Sequence, residues 1–83
     1  MSTEAAPLSG IRVGEQAEVV GLSGERETRW RLMDLGLVAG TRVEVLRVSP
    51  LGDPVVYRFR GTTVALRKPD ADVVLVRRVP AEL

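Results

Sequence analysis

Carboxylates, guanidinium groups, one lysine and one tyrosine are the side chains of this sequence that could carry chemistry. The 83 residues contain no histidine and no cysteine, which excludes disulfides, zinc fingers, iron–sulfur and haem sites, and any catalytic triad with an imidazole base. Acid–base catalysis would rest on carboxylates, Lys68 or Tyr57, and no motif places two of these groups in one rigid arrangement. The sequence therefore predicts that the protein is not an enzyme.

Asp70 and Asp72 are the closest pair of carboxylates outside the helix predicted below. Oxygen donors favour hard ions, and they bind Fe(II) or Zn(II) loosely unless several converge. This pair is the weak candidate for a metal site; no cofactor is certain, and the one considered is a weakly bound divalent transition metal. The alternative, which we favour, is a loop whose two carboxylates bind no metal.

Two groups of residues could bind a protein partner. Arg29 and Arg31 would give a helix a cationic face for an acidic partner, although Arg31 and Asp34 are also spaced for an ion pair with each other. Residues 50–54 contain two prolines, which restrict the unfolded chain and present Leu51 as an exposed apolar tip, although a rigid turn would explain them too. The predicted partner-binding residues are Arg29, Arg31, Pro50, Leu51, Gly52, Asp53 and Pro54.

A nucleic-acid partner is the next alternative. Tyr57 and Phe59 share one face of a predicted strand with arginines nearby, and proteins that bind single strands stack bases on aromatic side chains along a basic groove. The chain contains only three aromatic residues, which make a poor stacking platform. We therefore expect no nucleic-acid partner.

Five short strands should position these residues. Alternating apolar residues predict strands beginning at Gln16, Arg42, Val55, Thr62 and Val73. In the second of them the alternation changes phase near residues 46–48, which predicts a bulge or a sharp bend.

One amphipathic helix is predicted between the first two strands. Trp30, Met33 and Leu37 recur at helical spacing, with Leu32 and Leu35 widening the stripe, and they predict an apolar stripe packed in the core. The alternative for Trp30 is an exposed position, where it would be the leading candidate for an anchor residue at a partner interface. Ser23 is the predicted N-cap, and Gly36 is placed to adopt the left-handed conformation that ends a helix.

The predicted fold class is mainly β: a small, partly open SH3-like barrel of about five strands with one short helix inserted after the first strand. Closing a sheet of short antiparallel strands hides its edges. An OB-fold usually has its helix between strands three and four, so the helix position favours the SH3-like alternative. Residues 1–7 are predicted to be a flexible leader, with the fold beginning at Leu8.

Neither a membrane span nor a secretory signal is predicted. The longest aliphatic run is residues 73–76, far shorter than the roughly 20 apolar residues that cross a bilayer. The N-terminal residues lack a basic segment followed by an apolar one. We therefore expect a cytoplasmic protein.

Residues 29–41 are R-W-R-L-M-D-L-G-L-V-A-G-T, residues 50–54 are P-L-G-D-P, and residues 61–67 are G-T-T-V-A-L-R. These three motifs resemble the signature R-x-R-L-x-D-L-G-L-x-x-G-T, the P-L-G-D-P loop and the G-x-x-x-A-L-R strand of the FeoA family, small cytosolic proteins of bacterial ferrous-iron uptake. Residues 13–15 are similar to the family's opening P-G-E, with Val13 in place of the proline. Within these motifs we assign structural roles to Asp34, Gly36, Gly40, Gly61 and Leu66. Gly40 is expected at a turn where a β-carbon would clash.

The resemblance implies an SH3-like domain over residues 8–80, similar to the C-terminal domain of iron-dependent repressors. It implies an accessory protein that docks on the cytosolic GTPase domain or the membrane region of a ferrous-iron transporter and modulates it. Such a protein would be cytoplasmic, held at the inner face of the membrane through its partner, and a monomer or a weak homo-oligomer. The alternatives are a metal-sensing or transition-metal-binding SH3-like domain and a small nucleic-acid-binding barrel.

Overall fold

Six strands form one antiparallel sheet in the computed structural model, which describes residues 4–80. The strands are β1 (Ala6–Pro7), β2 (Gln16–Leu22), β3 (Arg42–Val48), β4 (Val55–Phe59), β5 (Thr62–Leu66) and β6 (Val74–Val79). The helices are α1 (Arg26–Leu35) and α2 (Lys68–Asp72), and a single 3-10 turn spans Leu8–Gly10. Within the described residues, no helix has the length and apolar character that a bilayer crossing requires.

The sheet order is β1-β6-β2-β3-β4-β5, which leaves β1 and β5 at its edges. The mainly β class, the partly open sheet and the helix after the strand at Gln16 agree with the sequence analysis. The phase change near Leu46 is confirmed as a register shift between Val45 and Arg47 where β3 pairs with β4. A second shift lies between Val19 and Gly21 in β2.

The N-terminal boundary differs from the prediction. Ala6 and Pro7 pair with Val76 and Leu75 of β6, so the sheet begins before Leu8. This pairing depends on a distant strand, which local sequence does not reveal. The rest of the predicted leader lies partly outside the described residues, which begin at residue 4.

The core lies on one face of the sheet, because inward residues alternate along each strand. Its largest fully buried side chains are Tyr57, Phe59, Leu8, Leu32, Leu37, Val19, Val43, Val45, Val74 and Val76. Leu66, assigned a structural role, is also buried at the end of β5.

The start of α1 differs from the prediction, whereas its end agrees. The hydroxyl of Ser23 donates to the carbonyl of Val73 at 3.3 Å instead of capping the helix. The N-cap position is occupied by Glu25 without a side-chain hydrogen bond. Gly36 has the predicted left-handed conformation, with φ of 110°.

The predicted core stripe of α1 is wrong in part. Leu32 and Leu37 are fully buried, but Trp30 is 60% exposed and Met33 38% exposed. With 3.6 residues per turn, Trp30 lies about 200° around the helix from Leu32, on the opposite side. Because Leu32 is the buried residue of α1, the helix presents most of its circumference to solvent.

The C-terminal half contains a helix that the sequence analysis did not predict. Residues 68–72 were expected to be a loop and instead form α2, with Pro69 in its first turn, where a missing N–H costs nothing. Strand β6 therefore begins at Val74, one residue later than expected. Gly40 has a positive φ of 94°, but a β-carbon there would meet no atom within 4 Å. Its role is the backbone conformation rather than the predicted close approach.

Candidate protein-docking site

The outer side of α1 carries an exposed apolar surface. Arg26, Trp30 and Met33 follow one another at spacings of four and three residues, so they share one side of the helix. The guanidinium carbon of Arg26 lies 5.8 Å from the centre of the Trp30 ring, within cation–π range. We call these three residues the α1 face. Tryptophan is enriched among the residues that dominate binding energy at protein interfaces, so this face is suited to docking.

Arg29 and Arg31 each bind a group within the fold. Arg29 Nη1 donates to the carbonyl of Gly24 at 2.5 Å. Arg31 Nη2 lies 2.6 Å from Asp70 Oδ1 in α2, so the predicted ion pair with Asp34 is wrong. Both contacts fix the direction of a guanidinium group near the surface. Arg31 remains available to solvent, with 60% of its side chain exposed.

The loop of residues 49–54 presents Leu51 to solvent as predicted. Leu51 is 95% exposed. The loop is closed by two backbone hydrogen bonds, in which the Gly52 N–H donates to the Ser49 carbonyl at 2.8 Å and the Ser49 N–H donates to the Pro54 carbonyl at 3.1 Å. The apolar tip is therefore held in place before any partner binds.

Asp53 of the same loop binds within the fold. Its Oδ1 accepts a hydrogen bond from the Lys68 N–H at 2.8 Å, and its Oδ2 lies 3.5 Å from Arg67 Nη1. Asp53 thereby joins the loop to the start of α2, and Asp70 of α2 binds Arg31 of α1. Two of the predicted partner-binding segments, on α1 and in the loop, are connected through α2.

The proposed metal pair is also bound to other side chains. Asp70 is paired with Arg31, and Asp72 accepts hydrogen bonds from the Ser9 hydroxyl and from Lys68 Nζ. The Ser9 hydrogen bond, assisted by Lys68, lowers the pKa of the Asp72 carboxyl below its ordinary value. Across residues 4–80, no three or more carboxylates, histidines or cysteines converge as metal ligands would. The donor set does not fit a transition metal.

The aromatic pair of β4 is unavailable for base stacking. Tyr57 and Phe59 are 1% and 2% exposed, so both rings belong to the core. Burial, followed by the nearby charge of Asp53, raises the pKa of Tyr57 to about 12. This finding removes the stacking platform on which the nucleic-acid alternative depended.

The favoured interpretation of Trp30 as a core residue is wrong, because helical spacing alone does not tell which side of a short helix is buried. One signal was available. Arg26 precedes Trp30 by four residues, a spacing that brings a cation over an aromatic ring on a helix surface.

A family model, the FeoA domain, matches residues 6–78 of the chain. An Fe(2+) transport protein A/Fe(2+) transporter FeoB fusion protein of Porphyromonas gingivalis is 36% identical over 72 residues. That alignment covers 87% of this chain and 8% of the fusion protein, so the chain spans a small part of that relative's length.

Solved structures agree with the family match. The FeoA-like protein from Clostridium acetobutylicum superposes with a TM-score of 0.90 at 30% identity, over 99% of this chain and 95% of that chain. Stenotrophomonas maltophilia FeoA, a prokaryotic SH3 domain protein complexed with zinc, gives 0.76 at 29% identity, over 87% and 89%. A manganese-dependent transcriptional repressor gives 0.82 at 20% identity over 95% and 44%, a likeness of fold alone. The SH3-like fold class is thereby confirmed.

Proposed function

The chain belongs to the FeoA family, and from that premise we propose that it is a cytoplasmic accessory protein that docks on a ferrous-iron transporter and modulates it. The partner surface is the transporter's cytosolic GTPase domain or its membrane region. In the P. gingivalis relative, the transport protein A part and the FeoB transporter are one chain. Fusion keeps the two parts at high local concentration, as expected if they act together.

The observation that carries this proposal is the exposure of Trp30 and Leu51. Folding leaves both large apolar side chains in water, whereas the buried positions of the sheet are filled by other residues. Burying Trp30, Met33 and Leu51 against a partner would add apolar area to the contact. Arg26 and Arg29 would supply positive charge at the rim of that contact.

In this proposal, docking modulates the transporter by shifting its conformational populations. A partner bound more tightly in one conformation of the transporter moves the transporter towards that conformation, by an amount set by the difference in affinity. The proposed role is binding rather than chemistry. The S. maltophilia relative is described as a candidate activating factor of ferrous iron transport, which is consistent with such a role.

A metal-binding function is not supported by the side chains present. The S. maltophilia structure contains zinc, and a repressor of similar fold contains manganese. In this chain, Asp70 and Asp72 already pair with Arg31 and Lys68. We therefore assign no resident metal to this pair of carboxylates.

Transport itself tests the function. The transporter of the same organism is reconstituted in liposomes with GTP, and Fe(II) uptake is measured with and without the full chain. The chain should change the uptake rate, and Trp30→Ser should abolish the change, whereas Val13→Ser, at an exposed apolar residue outside the docking site, should preserve it. An uptake rate that is the same with and without the wild-type chain would contradict the proposal.

A further inference from the structure

A second surface feature lies at the C-terminal end of α1. The segment that follows the helix and the turn between β4 and β5 border an open cleft, lined by Val38, Ala39, Gly40, Thr41, Arg42 and Arg60. An adjoining cleft on the outer face of the sheet shares Arg42 and Arg60. We call the two together the arginine cleft. It uses none of the residues of the docking site described above.

Two like charges line this cleft together. Arg42 of β3 and Arg60 of the turn after β4 both line the two adjoining clefts, and like charges in close proximity repel each other. The neighbouring pair of these strands is Glu44 and Arg58. Arg58 is neutralised by Glu44, with its Nη2 2.5 Å from Glu44 Oε1. Neither Arg42 nor Arg60 makes a side-chain hydrogen bond or an ion pair within residues 4–80, even though Glu18 is the β2 residue opposite Arg42.

Arg60 is held in place at a conformational cost. It has a φ of 55° and forms, with Gly61 at 74°, the two-residue loop between Phe59 and Thr62. Hairpin turns with positive φ at both residues favour Asn-Gly or Asp-Gly, and a long side chain is disfavoured at the first position. Backbone strain of this kind is concentrated at functional sites.

The stem of Arg60 lies close to the end of α1. A β-carbon built on Gly36 would lie 2.6 Å from Arg60 Cδ. The arginine therefore occupies the space that a side chain at position 36 would need. The fold therefore brings a guanidinium group to the cleft from a strained turn, beside a second guanidinium group, and the carboxylate that lines the cleft, Glu44, is already paired with Arg58.

We infer that the arginine cleft binds the carboxylate side chains of an acidic protein segment. Guanidinium groups bind carboxylates in a planar, two-pronged geometry. Val38, which is 39% exposed, gives the cleft an apolar wall. The cleft is open rather than enclosed, which suits a peptide segment better than a small ligand. The Gly40 and Thr41 N–H groups already donate to Val19 and Val38 carbonyls, so they do not provide the cluster of free amides that typically binds a phosphate.

The test is an NMR titration of the full, nitrogen-15-labelled chain at low salt. The probe is a capped peptide of alternating glutamate and valine, and its control is the same peptide with glutamine in place of glutamate. The shifts should be confined to residues 38–42 and 58–61 and absent with the control peptide. Arg60→Asn removes the guanidinium group and introduces a residue that this turn favours. This variant and Arg42→Gln should each weaken the binding of the acidic peptide about tenfold. Arg47→Gln, an exposed arginine outside the cleft, should leave it unchanged.

Three results would overturn the inference. These are shifts spread over other surfaces, equal binding of the glutamine peptide, and inorganic phosphate that binds the cleft as tightly as the acidic peptide at the same ionic strength. Because the probe is a peptide and not the transporter, failure here would leave the docking of α1 and residues 49–54 on a transporter to be judged separately.

Discussion

Gly36 and Arg60 lie so close together that no β-carbon fits between them: one placed on Gly36 would be 2.6 Å from Arg60 Cδ. The same glycine ends α1 with a φ of 110°. Two constraints therefore favour glycine at position 36. Its backbone is in the left-handed conformation that residues with a side chain disfavour, and it lies in close contact with the turn between β4 and β5. This relationship joins the end of α1 to the turn between β4 and β5.

Gly36→Ala should lower the free energy of unfolding by about 2 to 4 kcal/mol, combining left-handed strain with overpacking. Gly40→Ala is the matched control, because Gly40 has a similar φ of 94° but open space around its β-position. It should cost about 1 kcal/mol. Urea denaturation of the two variants measures the difference, and equal losses would show that the Arg60 contact has no energetic weight.

Trp30 should behave as a surface residue. It is the only tryptophan of the chain, so fluorescence quenching by iodide reports its exposure directly, and strong quenching of the native protein is expected. Trp30→Ala should cost less than about 1 kcal/mol, the scale of a surface cation–π contact. Leu32→Ala, at the buried position of the same helix, should cost about 2 to 5 kcal/mol. A Trp30 shielded from iodide in the isolated chain would contradict the exposed α1 face.

The Asp72 carboxyl should titrate below the ordinary aspartate pKa of 3.8, because the Ser9 hydroxyl and Lys68 stabilise its charged form. With its pKa lower in the folded state, Asp72 stabilises the fold above pH 3.8, and this contribution is lost as the pH falls through the folded pKa. Carboxyl carbon NMR gives the midpoint. Ser9→Ala should move it upward, and an unchanged midpoint in that variant would exclude the hydrogen bond as the cause.

Tyr57 should ionise well above its ordinary pKa. It is the only tyrosine, so the tyrosinate absorbance of the native chain follows this group alone, with an expected midpoint of about 12. The unfolded chain in urea should titrate near 10.0. Because folding raises this pKa, the neutral hydroxyl's contribution is complete below pH 10.0 and is lost as the pH rises towards 12. Coincident native and unfolded titrations would contradict the burial of Tyr57.

The strands and the exposed loop could be predicted because their signals are local. The alternation of apolar and polar residues predicted strands β2 to β5 closely, and Gly36 predicted the end of α1. The features that the sequence could not predict depend on contacts between residues that are far apart in the chain. Ala6–Pro7 becomes a strand only because β6 offers an edge, and Arg31 chooses Asp70 over Asp34 because α2 lies beside α1.

The candidate site was predicted in part for the same reason. Leu51 is exposed because two prolines and a glycine surround it, which is visible in the sequence. The exposure of Trp30 depends on how α1 rests on the sheet through Leu32. Because Leu32 is the one buried residue of this ten-residue helix, the apolar pattern does not determine which side of the helix faces the sheet.

The most direct test of docking is the affinity of the full chain for the purified ferrous-iron transporter of the same organism, measured with Leu51→Asp, Trp30→Ser and Arg29→Glu variants, each verified as folded by circular dichroism. The wild-type chain should bind saturably. Leu51→Asp and Trp30→Ser should each weaken binding about 30-fold, as loss of an interface anchor does, and Arg29→Glu should weaken it and reduce its salt dependence. Val13→Ser should bind like the wild type. No binding with or without nucleotide and Fe(II), or equal binding by all variants, would contradict the docking account.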